Sequence, residues 1–333
     1  MRHIIIGTGA VGGVIGGLLA SAGKDVVLVA RGAQLDAVRA AGLEVATAAG
    51  TVRVRPAVAS GHQEVDLRPD DVLVLAVKSQ DTADALAAWS DRPVAGGGTA
   101  AERLAVVCAQ NGVDNERAAL RRFARVIAMC VWLPATYLEP GRVSAGGVPV
   151  PGILTVGHAA TPPAPGDGLL SGYAGDLVDA GFRAPVAADV MAWKYTKLLT
   201  NLANAVEALC GSLRDDDSRA LAARADAEGR AVLRAAGITT LDDAAHDAAR
   251  SGFRVEPLPG RERGGGSTWQ SLVRGTGSIE SDHLNGEIVL LGRLHGVATP
   301  VNAVLQRRAR LASTAGLPPG GTTAAALLAE ADR

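Results

Sequence analysis

A lysine and two asparagines stand at helical spacing in the second half of this 333-residue sequence. Lys197, Asn201 and Asn204 are separated by four and three residues, so on one helix they share a face with Trp193. A lysine in a partly dry cleft can have its pKa lowered enough to donate a proton near neutral pH, as a carbonyl reductase needs when hydride addition creates an alkoxide. The same pattern is typical of a solvated helix margin, so the tertiary arrangement decides between the two interpretations.

A second group of polar side chains, with three carboxylates and an amide, lies in the segment Ser278–Glu287. Ser278 fits the N-cap of a helix predicted over Ile279–His295. Glu280 could accept hydrogen bonds from a substrate hydroxyl, or it could belong to an acid-rich first turn that interacts favourably with the helix dipole. Thr268, just beyond a run of three glycines, is an available hydroxyl donor but by itself indicates no site.

A glycine-rich turn follows the first predicted strand and opens a predicted helix over 11–21. In such a turn the first glycine permits the bend, the second lets the backbone approach a pyrophosphate, and the third lets helix and strand meet. The helix N-terminus adds free N–H groups and partial positive charge. The alternative is a turn without a ligand. The candidate cofactor-binding residues are Gly7, Thr8, Gly9, Ala10, Val11 and Gly12.

Polar residues also follow three other predicted strands, at the end of the sheet where ligands of open α/β folds bind. Arg31 follows the second strand, where an NAD site normally carries an acidic residue, and an arginine can hold a 2′-phosphate; NADP(H) is therefore the preferred cofactor. A solvated cation is the alternative for Arg31. Lys78 follows a buried strand and could approach the cofactor. Asn111 follows the next strand, although Asn-Gly is also a common turn dipeptide.

The rhythm of the sequence changes after about residue 182. Before it, apolar β-branched runs alternate with Ala-rich stretches, which is typical of a parallel sheet covered on both faces. After it, Ala/Leu-rich helical patterns dominate. We therefore predict a doubly wound α/β domain over 1–185 and an all-helical domain over 186–333. The predicted strands are Ile4–Ile6, Val26–Ala30, Val52–Val54, Val72–Val77, Leu104–Cys108, Val126–Val131 and Ile153–Val156, and the predicted helices are Met191–Leu209, Ser218–Ala236, Ile279–His295 and Val301–Ala315.

Composition excludes several classes of function. The 33 basic and 34 acidic side chains give no chain-wide attraction to nucleic acid, and 3% aromatic residues are too few for base-stacking platforms. The longest apolar run, Val126–Leu133, is too short to span a membrane, and no signal-peptide core precedes the first strand, so we expect a cytoplasmic protein. The histidines and three cysteines lack metal-ligand spacing, so no metal site is predicted.

Taken in order, these motifs resemble the ketopantoate reductase (2-dehydropantoate 2-reductase) family over nearly the whole chain. The motifs that carry the resemblance are GTGAVGG at the N-terminus, Arg31, AVKSQDT at 76–82, QNGVDNE at 110–116, KLLTN at 197–201 and SIESDHLNG at 278–286. The resemblance implies an N-terminal Rossmann domain and a helical C-terminal domain of the type found in 6-phosphogluconate dehydrogenase. It also implies reduction of 2-dehydropantoate to pantoate by NADPH, a step toward pantothenate and coenzyme A.

The resemblance also implies a role for each matching position. Gly7, Gly9 and Gly12 match the family's phosphate loop, and Arg31 and Lys78 match its cofactor-side cations. Asn111 matches an amide beside the nicotinamide. Lys197 matches the family's catalytic lysine, which acts as the general acid, and Asn201 matches a substrate-binding amide. Glu280 matches the carboxylate that recognises the substrate hydroxyl, and Thr268 falls where the family has a substrate-binding serine. Asp282 and Asn285 match the family's EIDxxNG pattern in the form ESDHLNG.

Two departures from the family concern the substrate more than the redox chemistry. The family often has an asparagine four residues beyond Asn201, where this sequence has Ala205 and places Asn204 one position earlier. Bulky Trp269 follows Thr268 where the family has a PSM-like run. The leading hypothesis is an NADPH-dependent ketopantoate reductase. The alternatives are a reductase of another 2-oxo acid or specialised-metabolism carbonyl and a non-catalytic NADP(H)-sensing module; the oligomeric state stays open, a homodimer being one option.

Overall fold

The computed structural model describes residues 1–160, 168–211, 213, 215–258, 265–275, 277 and 279–333. The strands within these ranges, numbered in chain order, are β1 (Arg2–Ile6), β2 (Asp25–Val29), β3 (Leu43–Thr47), β4 (Gly50–Val54), β5 (Ala57–Ala59), β6 (Asp71–Leu75), β7 (Ala105–Cys108), β8 (Arg125–Trp132), β9 (Ala135–Glu139), β10 (Arg142–Ala145), β11 (Gly147–Val148), β12 (Ile153–His158) and β13 (Arg254–Val255). The helices are α1 (Ala10–Ser21), α2 (Gly32–Ala41), α3 (Thr82–Ser90), α4 (Ala100–Arg103), α5 (Asn115–Leu120), α6 (Leu169–Asp179), α7 (Val190–Asn201), α8 (Ala203–Cys210), α9 (Asp216–Ala235), α10 (Asp243–Ala249), α11 (Ser267–Val273), α12 (Asn285–His295), α13 (Pro300–Thr314) and α14 (Ala324–Ala331). Short 3-10 turns cover His62–Glu64, Ser79–Asp81 and Glu280–His283.

The chain forms two compact units and passes between them more than once. Unit 1 takes its residues from 1–111, 115–193 and 243–262, and unit 2 from 112–114, 194–242 and 263–333. The contacts therefore place the main change of unit between Trp193 and Lys194 and assign α10 and β13 to unit 1. A domain boundary at 185/186 stays a prediction.

A seven-stranded sheet forms the centre of unit 1, in the order β12-β8-β7-β6-β1-β2-β5. All neighbouring strands run parallel except β12, which pairs antiparallel with β8 at one edge. The direction of strand succession reverses at β1, since β2 lies on one side of it and β6 on the other. In an open α/β sheet this reversal opens a crevice at the carboxyl ends of the strands, where ligands bind.

Both faces of this sheet are buried, as the near-continuous apolar strands predict. Successive residues of a strand point to opposite faces, so Ile5 joins one core cluster while Ile4 and Ile6 join the other. Helices α1 and α6 cover the first face, and α3, α4 and α5 contribute to the second. The predicted doubly wound α/β architecture is confirmed.

A four-stranded sheet, in the order β4-β3-β10-β9, corrects one predicted strand of the main sheet. Val52–Val54 was expected to belong to the parallel sheet, but it lies in β4 and pairs antiparallel with β3. The reason is visible in its composition: Arg53 alternates with the valines and pairs with Glu44 at 2.7 Å, which suits a half-exposed strand. Parallel-sheet strands buried on both faces rarely carry such a residue.

Unit 2 is built from helices α8, α9 and α11–α14 together with the end of α7. Its core contains leucines and valines that project from neighbouring helices, including Leu202, Val206, Leu221, Val232 and Leu305. Residues 186–333 were expected to be all-helical. Among the described residues of this range, the strand β13 departs from this expectation: it pairs with β11 and belongs to unit 1.

Two predicted helices are each divided into two segments. The helix expected over Met191–Leu209 is interrupted at Leu202, whose N–H is shared between the carbonyls of Leu198 and Leu199 at 3.2 Å each. The helix expected over Ile279–His295 consists of a 3-10 turn, Glu280–His283, followed by α12; Leu284, with φ −113° and ψ −89°, breaks the path between them. Ser278, the predicted N-cap, lies outside the described residues.

Candidate functional site

The glycine-rich turn connects β1 to α1, and its three glycines meet different surroundings. Gly7 has φ +99°, and a Cβ there would lie 2.8 Å from the Val77 backbone nitrogen. A Cβ on Gly12 would lie 2.1 Å from the Gly7 carbonyl oxygen. A Cβ on Gly9, in contrast, would meet nothing within 4 Å. Gly7 and Gly12 are therefore required for packing, while Gly9 leaves open space at the N-terminus of α1, as a phosphate-binding loop requires.

The side chain of Thr8, one of the predicted cofactor-binding residues, is directed into the protein. Its hydroxyl donates to the Val29 carbonyl at 2.9 Å, and its own carbonyl accepts from Gln34 Nε2 at 3.0 Å. Gln34 also accepts from the Gly141 N–H at 2.7 Å. Thr8 therefore fixes the turn against β2 through its side chain and against α2 through its backbone carbonyl. Gln34 was not recognised in the sequence, because its role depends on a residue 107 positions away.

A matched pair of substitutions separates packing from phosphate approach in this turn. Gly12→Ala is expected to destabilise unit 1 by about 1–3 kcal/mol, because the new methyl group would force the backbone of the turn apart. Gly9→Ala is expected to leave stability nearly unchanged, because its methyl group points into open space. Urea unfolding measures both changes, and equal destabilisation by the two variants would contradict this interpretation.

Arg31 and Lys78 lie at the carboxyl ends of β2 and β6, on either side of β1. Arg31 is exposed at the N-cap position of α2, and its guanidinium forms no hydrogen bond or ion pair with the described residues. Lys78 is half-buried at the start of the Ser79–Asp81 turn. The two cations thus flank the glycine-rich turn along the edge of the sheet.

A buried network of side chains connects the segments that follow β6 and β7. Lys78 lies in the first of these segments and Asn111 in the second. Gln110 Nε2 donates to the Val77 carbonyl at 2.9 Å and to the Thr82 hydroxyl at 2.8 Å. The Thr82 hydroxyl donates to Asn115 Oδ1 at 2.7 Å, and Asn115 Nδ2 donates to the Asn111 carbonyl at 3.0 Å. The backbone carbonyl of Asn111 is therefore held by this network. Sequence reasoning singled out Asn111 but not Thr82 or Asn115.

In unit 2, α7 carries Lys197 and Asn201 one turn apart, and both side chains are buried at 9% and 8% exposure. They do not lie on a solvated helix margin, which was the alternative interpretation of their spacing. Asn201 Nδ2 is inaccessible to solvent and has no hydrogen-bond partner among the described residues. A buried amide donor without a partner is unusual in a folded protein, so this group is a candidate donor to a bound ligand.

Lys194, one turn before Lys197, is a second buried lysine that sequence reasoning missed. Its side chain is only 3% exposed, although lysines are almost never fully buried without a functional or pairing reason. In the sequence its residue type alone did not distinguish it from an ordinary surface lysine. The signal that could have revealed it is its i, i+3 spacing to Lys197 on the same helix.

Helix α8, which carries Asn204, packs against α11, which carries Thr268. Glu207 on α8 accepts a hydrogen bond from the Gly266 N–H at 2.7 Å. A Cβ on Gly266 would lie 3.2 Å from Asn204 Oδ1, so the Asn204 side chain comes close to the backbone at Gly266. Thr268, two residues further on, is buried. Glu207 was not predicted, and its anchoring role depends on the tertiary contact.

Glu280 lies at the start of the Glu280–His283 turn, which an ion pair holds to the segment after Asn111. His283 Nδ1 lies 2.6 Å from Asp114 Oδ2, and both side chains are half-buried. The hydrogen bond to Asp114 raises the pKa of His283, burial opposes this rise, and the nearby carboxylates of Glu280 and Asp282 add to it. Neither Asp114 nor His283 was predicted as a site residue.

The His283–Asp114 pair predicts a pH dependence of stability. Because the folded-state pKa is raised, the pair contributes fully below the unfolded pKa of about 6.5, and its contribution is lost as pH rises through the folded pKa. His283→Gln is expected to lower Tm by about 1–3 °C at pH 6 and by less at alkaline pH. Exposed His295, on the following helix, provides the control His295→Gln. A Tm difference that does not vary with pH would contradict the prediction.

Among the described residues, no group of three or more His, Cys, Asp or Glu side chains could hold a metal ion. In the same part of the chain, no helix has the length and hydropathy of a membrane span.

Unit 1 has a parallel sheet with a glycine-rich turn and cations at its strand ends. Unit 2 carries a buried lysine and a buried amide. These features are those of an NAD(P)-dependent reductase of the Rossmann type. Comparison with known families agrees with this class. Residues 3–160 match the family described as ketopantoate reductase PanE/ApbA, and residues 189–312 match its C-terminal region. The chain belongs to the ketopantoate reductase family.

Individual relatives extend over nearly the whole chain. A 2-dehydropantoate 2-reductase of Archaeoglobus fulgidus is 31% identical over 320 residues, which cover 91% of this chain and 95% of that protein. The crystal structure of a PanE/ApbA family ketopantoate reductase from Ralstonia eutropha is 29% identical, with a TM-score of 0.76 and coverage of 95% of this chain and 99% of that one. A ternary structure of D-mandelate dehydrogenase with NADH and anilino(oxo)acetate has the same TM-score and coverage at 19% identity, which shows a common fold alone.

Proposed function

We propose that this protein reduces ketopantoate to pantoate with NADPH. The observation that carries the proposal is the pair on α7: a buried lysine, and one turn later a buried amide whose Nδ2 has no partner among the described residues. This is the donor set that a developing alkoxide requires. Membership of the ketopantoate reductase family supports the choice of substrate.

In the proposed reaction, the nicotinamide of bound NADPH supplies a hydride to the C2 carbonyl carbon of the substrate. Lys197 donates a proton to the carbonyl oxygen, so that the C=O group becomes CH–OH. Asn201 Nδ2 donates a hydrogen bond to the same oxygen and orients it. The protein contributes placement and electrostatic stabilisation, with no covalent intermediate.

The remaining polar residues of unit 2 are proposed to read the rest of the substrate. Glu280 accepts a hydrogen bond from the distal hydroxyl, the buried hydroxyl of Thr268 donates to the carboxylate, and Asn204 adds an amide to the same region. A carboxylate that accepts a hydrogen bond from a substrate hydroxyl favours a substrate that carries one.

The cofactor residues are proposed to lie along the edge of the main sheet. The backbone of Gly7–Gly12 at the N-terminus of α1 takes the pyrophosphate, with Gly9 giving the closest approach and Ala10 and Val11 forming the first turn. Arg31, with a guanidinium that makes no bond to described residues, takes the 2′-phosphate and favours NADPH over NADH. Lys78 and Asn111 lie on the β6–β7 side, toward the nicotinamide.

A second substrate is favoured by one observation, the position of Trp269. Its ring packs directly on Gly265, where a Cβ would lie 2.7 Å from Trp269 Cγ, and it follows Thr268 in α11. An indole beside the proposed carboxylate site would suit a 2-oxo acid with a larger apolar side chain. The reaction would be the same.

The test is a spectrophotometric assay of NADPH oxidation with ketopantoate and a panel of 2-oxo acids, with NADH as the cofactor control. We expect ketopantoate with NADPH to give the highest kcat/KM. A higher value for an apolar 2-oxo acid would favour the second substrate. Tight NADPH binding without turnover of any 2-oxo acid would contradict catalysis and favour an NADP(H)-sensing module. We further propose that the protein is cytoplasmic and forms a homodimer. Cell fractionation tests the location, and light scattering tests the oligomeric state.

A further inference from the structure

A buried chain of hydrogen bonds in unit 2 connects three helices to the junction that carries Asn201. Asn285, the first residue of α12, donates from Nδ2 to the Leu202 carbonyl at 3.2 Å and to Asn302 Oδ1 at 3.0 Å. Asn302 donates from its own Nδ2 to the Ala225 carbonyl at 3.0 Å and to Glu228 Oε2 at 2.8 Å. Asn285 and Asn302 are 1% and 0% exposed. We call this set of Glu228, Asn302 and Asn285 the amide relay.

The amide relay begins at the carboxylate of Glu228 on α9, which caps the N-terminus of α13. Thr299, the N-cap residue of α13, forms no side-chain cap. Glu228, from α9, replaces it: its two carboxylate oxygens accept the N–H groups of Val301 and Asn302 at 2.9 and 3.0 Å. An anion at a helix N-terminus satisfies free donors and interacts favourably with the helix dipole. The carboxylate thereby fixes both the backbone and the side chain of Asn302.

The amide relay ends next to two segments that carry proposed substrate-binding residues, the end of α7 with Asn201 and the 3-10 turn with Glu280. Leu202 is the interruption between α7 and α8 and directly follows Asn201. Asn285 directly follows Leu284, the break that ends the turn carrying Glu280. The side-chain amide of Asn285, held by Asn302, therefore binds the backbone next to Asn201, and Asn285 itself is the first residue of the helix after the Glu280 turn.

We propose that Asn285 is a positioning residue. Through the amide relay it sets the position of Asn201 relative to Glu280, and this relative position determines how a hydroxyl-bearing 2-oxo acid is recognised. The proposal rests on the proposed function and deepens it. Asn285 occupies a buried site with both donors of its amide engaged, so it acts through backbone placement and does not contact the substrate. A small displacement of a substrate-orienting group is enough to change the rate strongly.

The test compares Asn285→Ser, which breaks the last link, and Glu228→Gln, which breaks the first, with the wild type. Asp226→Asn is the matched control, because Asp226 is an exposed carboxylate on the same helix as Glu228. The two substrates are ketopantoate and 3,3-dimethyl-2-oxobutanoate, which is the same molecule without the hydroxyl. We expect both relay variants to lower kcat/KM for ketopantoate by about 10- to 100-fold and for the analogue by clearly less, with the Kd for NADPH unchanged. An equal loss on both substrates, or none, would overturn the proposal.

Hydrogen–deuterium exchange gives a measurement that does not depend on activity. In Asn285→Ser, amides of residues 195–206 should exchange faster, while those of α14 in the same unit should not change. Unchanged exchange at 195–206 would overturn the relay. If the wild type does not reduce ketopantoate, the proposed function fails, and this exchange experiment still decides whether the relay holds the α7–α8 junction.

Discussion

Lys197→Met is expected to lower kcat for ketopantoate reduction by about 10²–10⁴-fold, the usual contribution of a positioned general acid. The side chain is 9% exposed, so methionine, of similar length and apolar, can occupy its place without a cavity. The Kd for NADPH should change little, because the proposed cofactor residues lie in unit 1. Steady-state kinetics and NADPH fluorescence titration measure the two quantities.

Two further variants identify what the lysine contributes. Lys197→Arg keeps the positive charge but does not release a proton near neutral pH, so it should remain nearly as slow as Lys197→Met if proton donation is the main role. Lys194→Met removes the other buried lysine of the same helix by the same substitution and controls for loss of a buried charge. Full turnover by Lys197→Met would contradict the mechanism, and recovery by Lys197→Arg would replace proton donation by electrostatic stabilisation.

Arg31→Ala is expected to raise KM for NADPH by about 10- to 100-fold and to leave KM for NADH nearly unchanged. One charge-assisted hydrogen bond to a phosphate contributes roughly 1.5–3 kcal/mol, and NADH lacks the 2′-phosphate that would accept it. Because the guanidinium is exposed and forms no bond to described residues, its removal should not affect stability. Steady-state kinetics with NADPH and with NADH measure the two KM values, and a thermal melt measures stability.

The control for Arg31→Ala is Arg39→Ala, a cation on the same helix that pairs with Glu64 at 2.8 Å at the surface. It should leave both KM values unchanged, because it lies at the other end of α2. A parallel increase of KM for NADPH and NADH in Arg31→Ala would mean that Arg31 reads a part common to both cofactors. The assignment of NADP(H) would then lose its main support.

The fold class could be predicted from the sequence because periodicity and glycine chemistry are local properties. Strands such as Val72–Val77 are apolar at every position, which only a sheet covered on both faces allows. The glycines of the Gly7–Gly12 turn are read in the same local way, and their surroundings agree with the prediction. The strand Val52–Val54 was assigned to the wrong sheet, since a three-residue apolar pattern does not identify its partner.

The sequence by itself determined which residue types stand at the ends of strands and on one face of α7, since these depend on spacings of a few residues. Only the tertiary structure decided whether those residues are buried, paired or available. Asn201 and Thr8 show the difference: both are buried, but Thr8 donates to Val29 and Asn201 Nδ2 has no partner among the described residues. Likewise Asn285 of the amide relay binds the carbonyl of Leu202, which is 83 positions away in the sequence. The physical reason is that burial and hydrogen-bond satisfaction are set by contacts distant in sequence, which no local pattern records.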